Sequence, residues 1–255
     1  MIEIPPSLVE RLKGRQAVLV AGLGCSELAG APEWDELTLR LCDCVEDEGR
    51  RAELRTLVAA GRRAAAIAYL GTRLPREVIA EVLTDAYPPP TEVPETIAAI
   101  ARIPWRGLIS TGYDGLWAAA TGDGKGDIRI FTPDQADELA EHRGRFLLQL
   151  GGTTQAPDSL CLGDPRKLAS LGISSALRAV AENRSFVLVG FRAGDPDLKL
   201  AGQALAATLA VGGPHFLFVP GVRGFELELL EAELGVTAIA HDGALDEGLR
   251  ALEKA

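Results

Sequence analysis

Three short stretches hold the residue types that could do chemistry. In the first, Gly22, Gly24 and Ser26 follow directly on the apolar run Ala17–Ala21, and a helical pattern begins soon after. A glycine turn between a buried strand and a helix lets the backbone approach a pyrophosphate, and N–H groups at the helix start favour negative charge. The spacing predicts a phosphate-accepting loop with Leu23 between its glycines. A dinucleotide fingerprint would want a third glycine three residues after the second and an acid ending another strand about twenty residues on. Glu27 and a helical pattern stand there instead, so the dehydrogenase pattern is incomplete. The competing reading is a tight strand-to-helix turn with no ligand.

The second stretch is Leu108-Ile-Ser110-Thr111-Gly112-Tyr113-Asp114, just past another apolar run. Open parallel sheets place ligand contacts at such strand ends. Thr111 and Asp114 suit a ribose or the ordering of the loop, and Asp114 suits equally the cap of a helix over Gly115–Ala120. The third is Val189-Gly190-Phe-Arg192-Ala-Gly194-Asp195-Pro196-Asp197. Asp195 before Pro196 reads as a helix N-cap with proline at the first helical position. Gly190 lies at the strand end, and Arg192 could grip phosphate or pair with Asp195 or Asp197.

Other chemistries find no support. His142, His215 and His241 lack metal-ligand partners at useful spacing, and Cys25, Cys42, Cys44 and Cys161 form no Cys-x-x-Cys pair, so no metal site is expected. There is no nucleophile elbow, Walker loop or His-Glu-x-x-His.

The elements that must position the three stretches alternate along the chain. Strands are expected at Ala17–Ala21, Gly107–Ser110, Ile128–Phe131, Phe146–Leu150, Phe186–Gly190, His215–Pro220 and Val236–Ala240. Continuous apolar runs suit strands covered on both faces. Helices are expected at Glu33–Glu48, Glu53–Tyr69, Pro75–Asp85, Pro94–Ala101, Ser174–Glu182, Asp197–Val211, Phe225–Leu234 and Leu245–Lys254, with a turn at Gly122–Gly126. The fold class is α/β: a Rossmann-like open parallel sheet with helices on both faces. Residues 35–102 hold no strand and read as a small helical insertion lobe within one domain, 1–255.

The chain has 255 residues and a net charge of −10, which argues against a nucleic-acid partner. It has no run of eighteen apolar residues and no basic-then-apolar leader, so no membrane span and a cytoplasmic location are expected.

Together the three stretches resemble a sirtuin-like domain, closest to the bacterial branch of NAD-consuming antiphage defence proteins. Val20 to Trp34 is similar to the family's opening loop and its glycine-x-proline-x-tryptophan segment. Ile109 to Asp114 resembles its threonine-asparagine-tyrosine-aspartate stretch, and Leu188 to Asp197 its late aspartate-proline-aspartate loop. The resemblance implies an NAD cleft between the sheet and the helical lobe, with Gly22, Leu23, Gly24, Ser26, Thr111, Asp114, Gly190, Arg192 and Asp195 around the ligand. It also implies two losses. Gly112 stands where the family has the asparagine that positions the nicotinamide ribose, and Gly151 where it has the basic histidine. Leu23 replaces an alanine, Arg192 a serine, and the zinc cysteines are absent. The expectation is a catalytically degenerate protein, without metal, that binds NAD, ADP-ribose or a related nucleotide as a sensor or scaffold, alone, as a homo-oligomer or with a protein partner. The alternatives are an active NAD hydrolase or ADP-ribosyl-transferring enzyme, and a non-binding interaction protein with a closed cleft.

Overall fold

The computed structural model describes residues 2–122, 127–162, 165–181, 183–209, 213–244 and 246–254. In chain order its elements are α1 (Pro6–Lys13), β1 (Ala17–Ala21), α2 (Gly24–Glu27), α3 (Trp34–Asp43), α4 (Glu48–Ala59), α5 (Arg63–Arg73), α6 (Arg76–Ala86), α7 (Glu95–Arg102), β2 (Gly107–Ser110), α8 (Leu116–Ala120), β3 (Ile128–Phe131), α9 (Ala136–Glu141), β4 (Arg145–Gln149), α10 (Pro165–Ser170), α11 (Ile173–Ala181), β5 (Ser185–Val189), α12 (Pro196–Leu209), β6 (Phe216–Pro220), α13 (Phe225–Leu234), β7 (Thr237–His241) and α14 (Asp246–Glu253).

The strands form one parallel sheet in the order β3-β4-β2-β1-β5-β6-β7. Each lies within a residue of its expected bounds. Side chains alternate across the sheet, as the two-residue period requires. Val18, Val20, Ile109, Phe146, Leu148, Phe186 and Leu188 enter one core with α9, α10, α11 and α12. Ala17, Leu19, Ala21, Leu108, Leu147, Val187 and Val189 enter the opposite core with α1, α7, α8 and α14. Burial on both faces explains why the inner strands β1, β2, β4, β5 and β6 read as nearly unbroken apolar runs, whereas the outer strands β3 and β7 keep exposed positions.

The stretch between β1 and β2 holds six helices joined by loops and no strand. Helices α3 to α6 enclose a third core around Trp34, Leu37, Leu41, Leu54, Ile67, Leu70 and Leu83, whereas α7 packs on the sheet through Ile97 and Ile100. Here the expected helix bounds need correction. The segment expected as one helix over Glu33–Glu48 ends at Asp43, and the segment expected over Glu53–Tyr69 is two helices. Asp47 starts α4 by accepting the Arg50 N–H at 2.7 Å, before its apolar stripe begins. Gly61, at φ +72°, then ends α4 in the left-handed conformation that only glycine adopts freely. Helices α1, α9 and α10 are too short for their stripes to stand out in the sequence. Residues 123–126 of the expected turn, and the expected helix ends Glu182, Ala210–Val211 and Leu245, lie outside the described residues. No helix of the described residues is long and apolar enough to cross a membrane.

Candidate functional site

Strands β1 and β5 are neighbours whose chain connections depart toward opposite edges of the sheet, which leaves a crevice at their carboxyl ends. The loops after β1, β5 and the adjacent β2 meet there. They bring together all nine residues singled out from the sequence: Gly22, Leu23, Gly24 and Ser26; Thr111 and Asp114; Gly190, Arg192 and Asp195.

The glycines serve a close approach of loop to loop. A Cβ on Gly22 would lie 2.3 Å from the Gly190 carbonyl oxygen. One on Gly190, itself at φ +75°, would lie 2.5 Å from Cys25 Sγ. The loop's backbone donors all find acceptors inside the protein. The Gly22 N–H donates to Val189 O (2.8 Å), Gly24 to Gly190 O (3.1 Å), Cys25 to Gly22 O (3.1 Å) and Ser26 to Leu23 O (2.8 Å). The Leu23 N–H donates to Asp197 Oδ2 at 2.7 Å.

Asp197 is the hub of the crevice, and it was not among the singled-out site residues. Its carboxylate also accepts from Trp34 Nε1 (2.9 Å) and from Thr111 Oγ1 (2.8 Å). One buried carboxylate therefore ties α12 to the β1 loop, the β2 loop and α3. Burial pushes its pKa up, and the three donors pull it back. The only signal in the sequence was its place two residues after Asp195 in the same loop.

Asp195 precedes Pro196 as expected of a cap, but its Oδ2 accepts the Arg192 N–H at 2.9 Å. Its buried Oδ1 has no hydrogen bond and lies 3.6 Å from Arg63 Nε, which also lacks one. Burial and the neighbouring Asp197 charge push Asp195 up to about 7. The Arg192 side chain turns away from both aspartates. It grips Glu27 with two bonds of 2.7 and 2.6 Å, and that pairing keeps the guanidinium charged. Glu27, the residue standing in place of a third fingerprint glycine, is thus the partner of Arg192.

On the β2 side, Asp114 Oδ1 accepts the Leu116 N–H at 3.0 Å and so caps α8, one of the two roles its position allowed. Burial raises the Asp114 pKa, opposed by that bond and by one from Ser26. A Cβ on Gly112 would sit 3.0 Å from Ser26 Oγ, and 3.4 Å from both Asp114 Oδ1 and Ser110 Oγ. Gly151 is closed off: a Cβ there would lie 2.4 Å from the Thr111 carbonyl oxygen and 3.0 Å from Tyr113 Cε1. Tyr113 is held by an edge-to-face contact with Tyr87, 5.8 Å between ring centres, and the Tyr87 hydroxyl donates to Pro32 O at 3.1 Å.

No histidine reaches this region. The His142 ring meets the Arg145 carbonyl at the amino end of β4. His215 Nδ1 accepts the Phe186 N–H at the amino end of β5, and burial lowers its pKa to about 4. Among the described residues no group of three His, Cys, Asp or Glu could hold a metal. Beside Asp114, at the ends of β2 and β4, a cavity of about 500 Å³ opens between Tyr87, Tyr113 and Gln149.

A family model described as a SIR2-like domain matches residues 106–239, just over half of the chain, from β2 into β7. No curated protein matches the chain.

Proposed function

The chain belongs to the SIR2-like family, and from that premise we propose that it holds a nucleotide of the NAD or ADP-ribose class without cleaving it, as a sensor or scaffold. The observation that carries this reading is Gly151. It has no group to take a proton, and the Thr111 carbonyl and the Tyr113 ring fill the space a side chain would need. Loss of a general base forfeits about two to four orders of magnitude in rate, and Gly112 removes the ribose-positioning side chain as well. The residues fit a nucleotide in outline. Ser26, Thr111 and Asp114 are buried hydroxyl and carboxylate groups at the ends of adjacent strands, a set suited to ribose hydroxyls. They do not fit the cleavage chemistry of the family.

Two measurements on the full chain test the reading. Incubation with NAD is expected to release no nicotinamide above the blank, and titration calorimetry is expected to give heat with NAD or ADP-ribose. Nicotinamide release that Asp114→Ala abolishes would make the protein an enzyme. No heat and no thermal shift with either ligand would end the binding claim. One observation favours a second reading, an interaction protein with a closed crevice: all five backbone donors from Gly22 to Ser26 are satisfied internally and Leu23 is fully buried. The same calorimetry separates the two.

A further inference from the structure

Helix α13 runs Phe-Glu-Leu-Glu-Leu-Leu-Glu-Ala-Glu-Leu between two glycines of positive φ, Gly224 at 56° and Gly235 at 68°. Its apolar residues fall on two opposite faces. Leu227, Leu230 and Leu234, three and four apart, pack half-buried against the sheet core. Phe225, Leu229 and Ala232, four and three apart, form a second stripe that the helical period places on the far side, in solvent. Phe225 is 75 % exposed and Leu229 55 %, and among the described residues they are the two large apolar side chains left exposed. The leucine stripe already holds the helix on the sheet, so the fold has no use for the second one. Single exposed apolar residues are ordinary, but two large ones sharing a stripe mark a contact surface.

The charges beside the stripe say what covers it. In heptad terms Phe225 and Ala232 take position d and Leu229 position a. The flanking e and g positions are then Glu226, Glu228 and Glu233, all exposed. Helix α13 carries no lysine or arginine, and none of these three glutamates forms an ion pair among the described residues. The fourth acid faces back: Glu231 Oε1 accepts the Ala238 N–H at 2.8 Å, which blunts the outer strand β7 against strand addition. Flanking charges choose the partner of a helical seam. A second copy docked through the same stripe would set glutamate against glutamate, and an anionic lipid surface would be repelled as well. A helix with lysine or arginine at these positions is matched on both sides. At the carboxyl end of the stripe, a groove of about 370 Å³ between α12 and α13 is lined by Gly202, Ala206 and Ala232, with Lys199 and Glu233 beside them. Those small residues leave room for a bulky apolar side chain from such a partner.

We propose that the outer face of α13 docks an amphipathic helix of a partner protein, with Phe225 and Leu229 entering its apolar seam and Glu226, Glu228 and Glu233 pairing with its lysines or arginines. This is independent of what the crevice holds, because α13 contributes no residue to it.

Fluorescence anisotropy of the full chain with two labelled synthetic three-heptad helices tests it. Both carry leucine at a and d; one has lysine and the other glutamate at e and g. The lysine helix is expected to bind, less tightly as salt rises, and the glutamate helix about tenfold more weakly or not at all. Phe225→Ala combined with Leu229→Ala leaves the net charge at −10, and both side chains lie outside the three cores. The pair is expected to weaken lysine-helix binding about tenfold or more, with the thermal midpoint level. Glu226→Lys, Glu228→Lys and Glu233→Lys together are expected to transfer the preference to the glutamate helix. Lysine-helix binding untouched by the alanine pair is general attraction to an acidic protein and overturns the proposal, as does equal binding of the two helices or no binding of either. Sedimentation equilibrium is expected to show no self-association that the alanine pair abolishes; a dimer dissolved by that pair makes the occupant a second copy and also overturns it.

Discussion

The crevice between β1 and β5 and the cavity beside Gln149 both lie at the carboxyl ends of the strands, yet the crevice is closed by internal bonds and the cavity is open. In the crevice every backbone donor from Gly22 to Ser26 has an internal acceptor, Asp197 takes three donors, and Arg192 is clasped by Glu27. In the cavity the Gln149 amide and the Tyr113 hydroxyl reach its open space and have no protein partner among the described residues. A polar group that has found its partner inside the protein contributes to folding, and among the described residues the crevice keeps only Asp195 Oδ1 and Arg63 Nε, 3.6 Å apart, buried without a hydrogen bond. Most of the residues that make the family recognisable therefore act first as fasteners between loops.

Five variants probe that contrast, beginning with the largest effect. Asp197→Ala orphans the Leu23 and Trp34 donors, leaves Thr111 Oγ1 only the Ala21 carbonyl at 3.2 Å, and is expected to cost about 4 kcal/mol in urea unfolding; a loss below about 1 kcal/mol would mean the crevice is not fastened there. Gly22→Ala forces a methyl against the Gly190 carbonyl, which is backbone and cannot swing aside, at about 2–3 kcal/mol by the same measurement. Gly151→His is expected to lose about 2 kcal/mol against the Thr111 carbonyl and still release no nicotinamide from NAD. Release at a measurable rate would show that only the base was missing.

The fourth variant concerns pH. Asp195 rises from its ordinary 3.8 to about 7 in the fold, so the folded state holds the proton more tightly than the unfolded chain does. Its contribution to stability is complete below about pH 4 and is lost as pH climbs through 7. The wild-type thermal midpoint is expected to fall between pH 5 and pH 8 by about 3 °C more than that of Asp195→Asn, the shift that about 1 kcal/mol gives in a chain of this size. Parallel curves would mean Asp195 is ionised throughout. The smallest effect is that of Arg192→Ala, about 0.5–1 kcal/mol for a partly exposed pair, with NAD affinity unchanged. A tenfold weaker NAD affinity would instead assign the phosphates to the crevice and erase the contrast.

Much of the fold was legible because the inner strands are buried on both faces and so announce themselves as apolar runs. The lobe was legible as helical, but the break at Asp47 and the stop at Gly61 depend on one side-chain bond and one left-handed residue, which periodicity does not register. Loop positions were legible for the same reason as the strands, since strand ends fix them. Partnerships were not. That Arg192 would choose Glu27 over Asp195, and that Asp197 would join three elements, follows from where the helices meet the loops, over separations of 86 to 174 residues. The openness of Gln149 is likewise a property of its surroundings: the same residue on an exposed strand would attract no attention.

Leu23 and Tyr113 are counted in the core of the helical lobe, not in that of the sheet. The two loops nearest any ligand are thus part of the same cooperative unit as α3 to α6, and opening them means loosening that unit. Occupancy of this region should accordingly be written in the amide hydrogen exchange of helices that never touch the ligand. Slower exchange across α3 to α6 with the sheet unchanged would reveal a bound molecule even where no heat is measured.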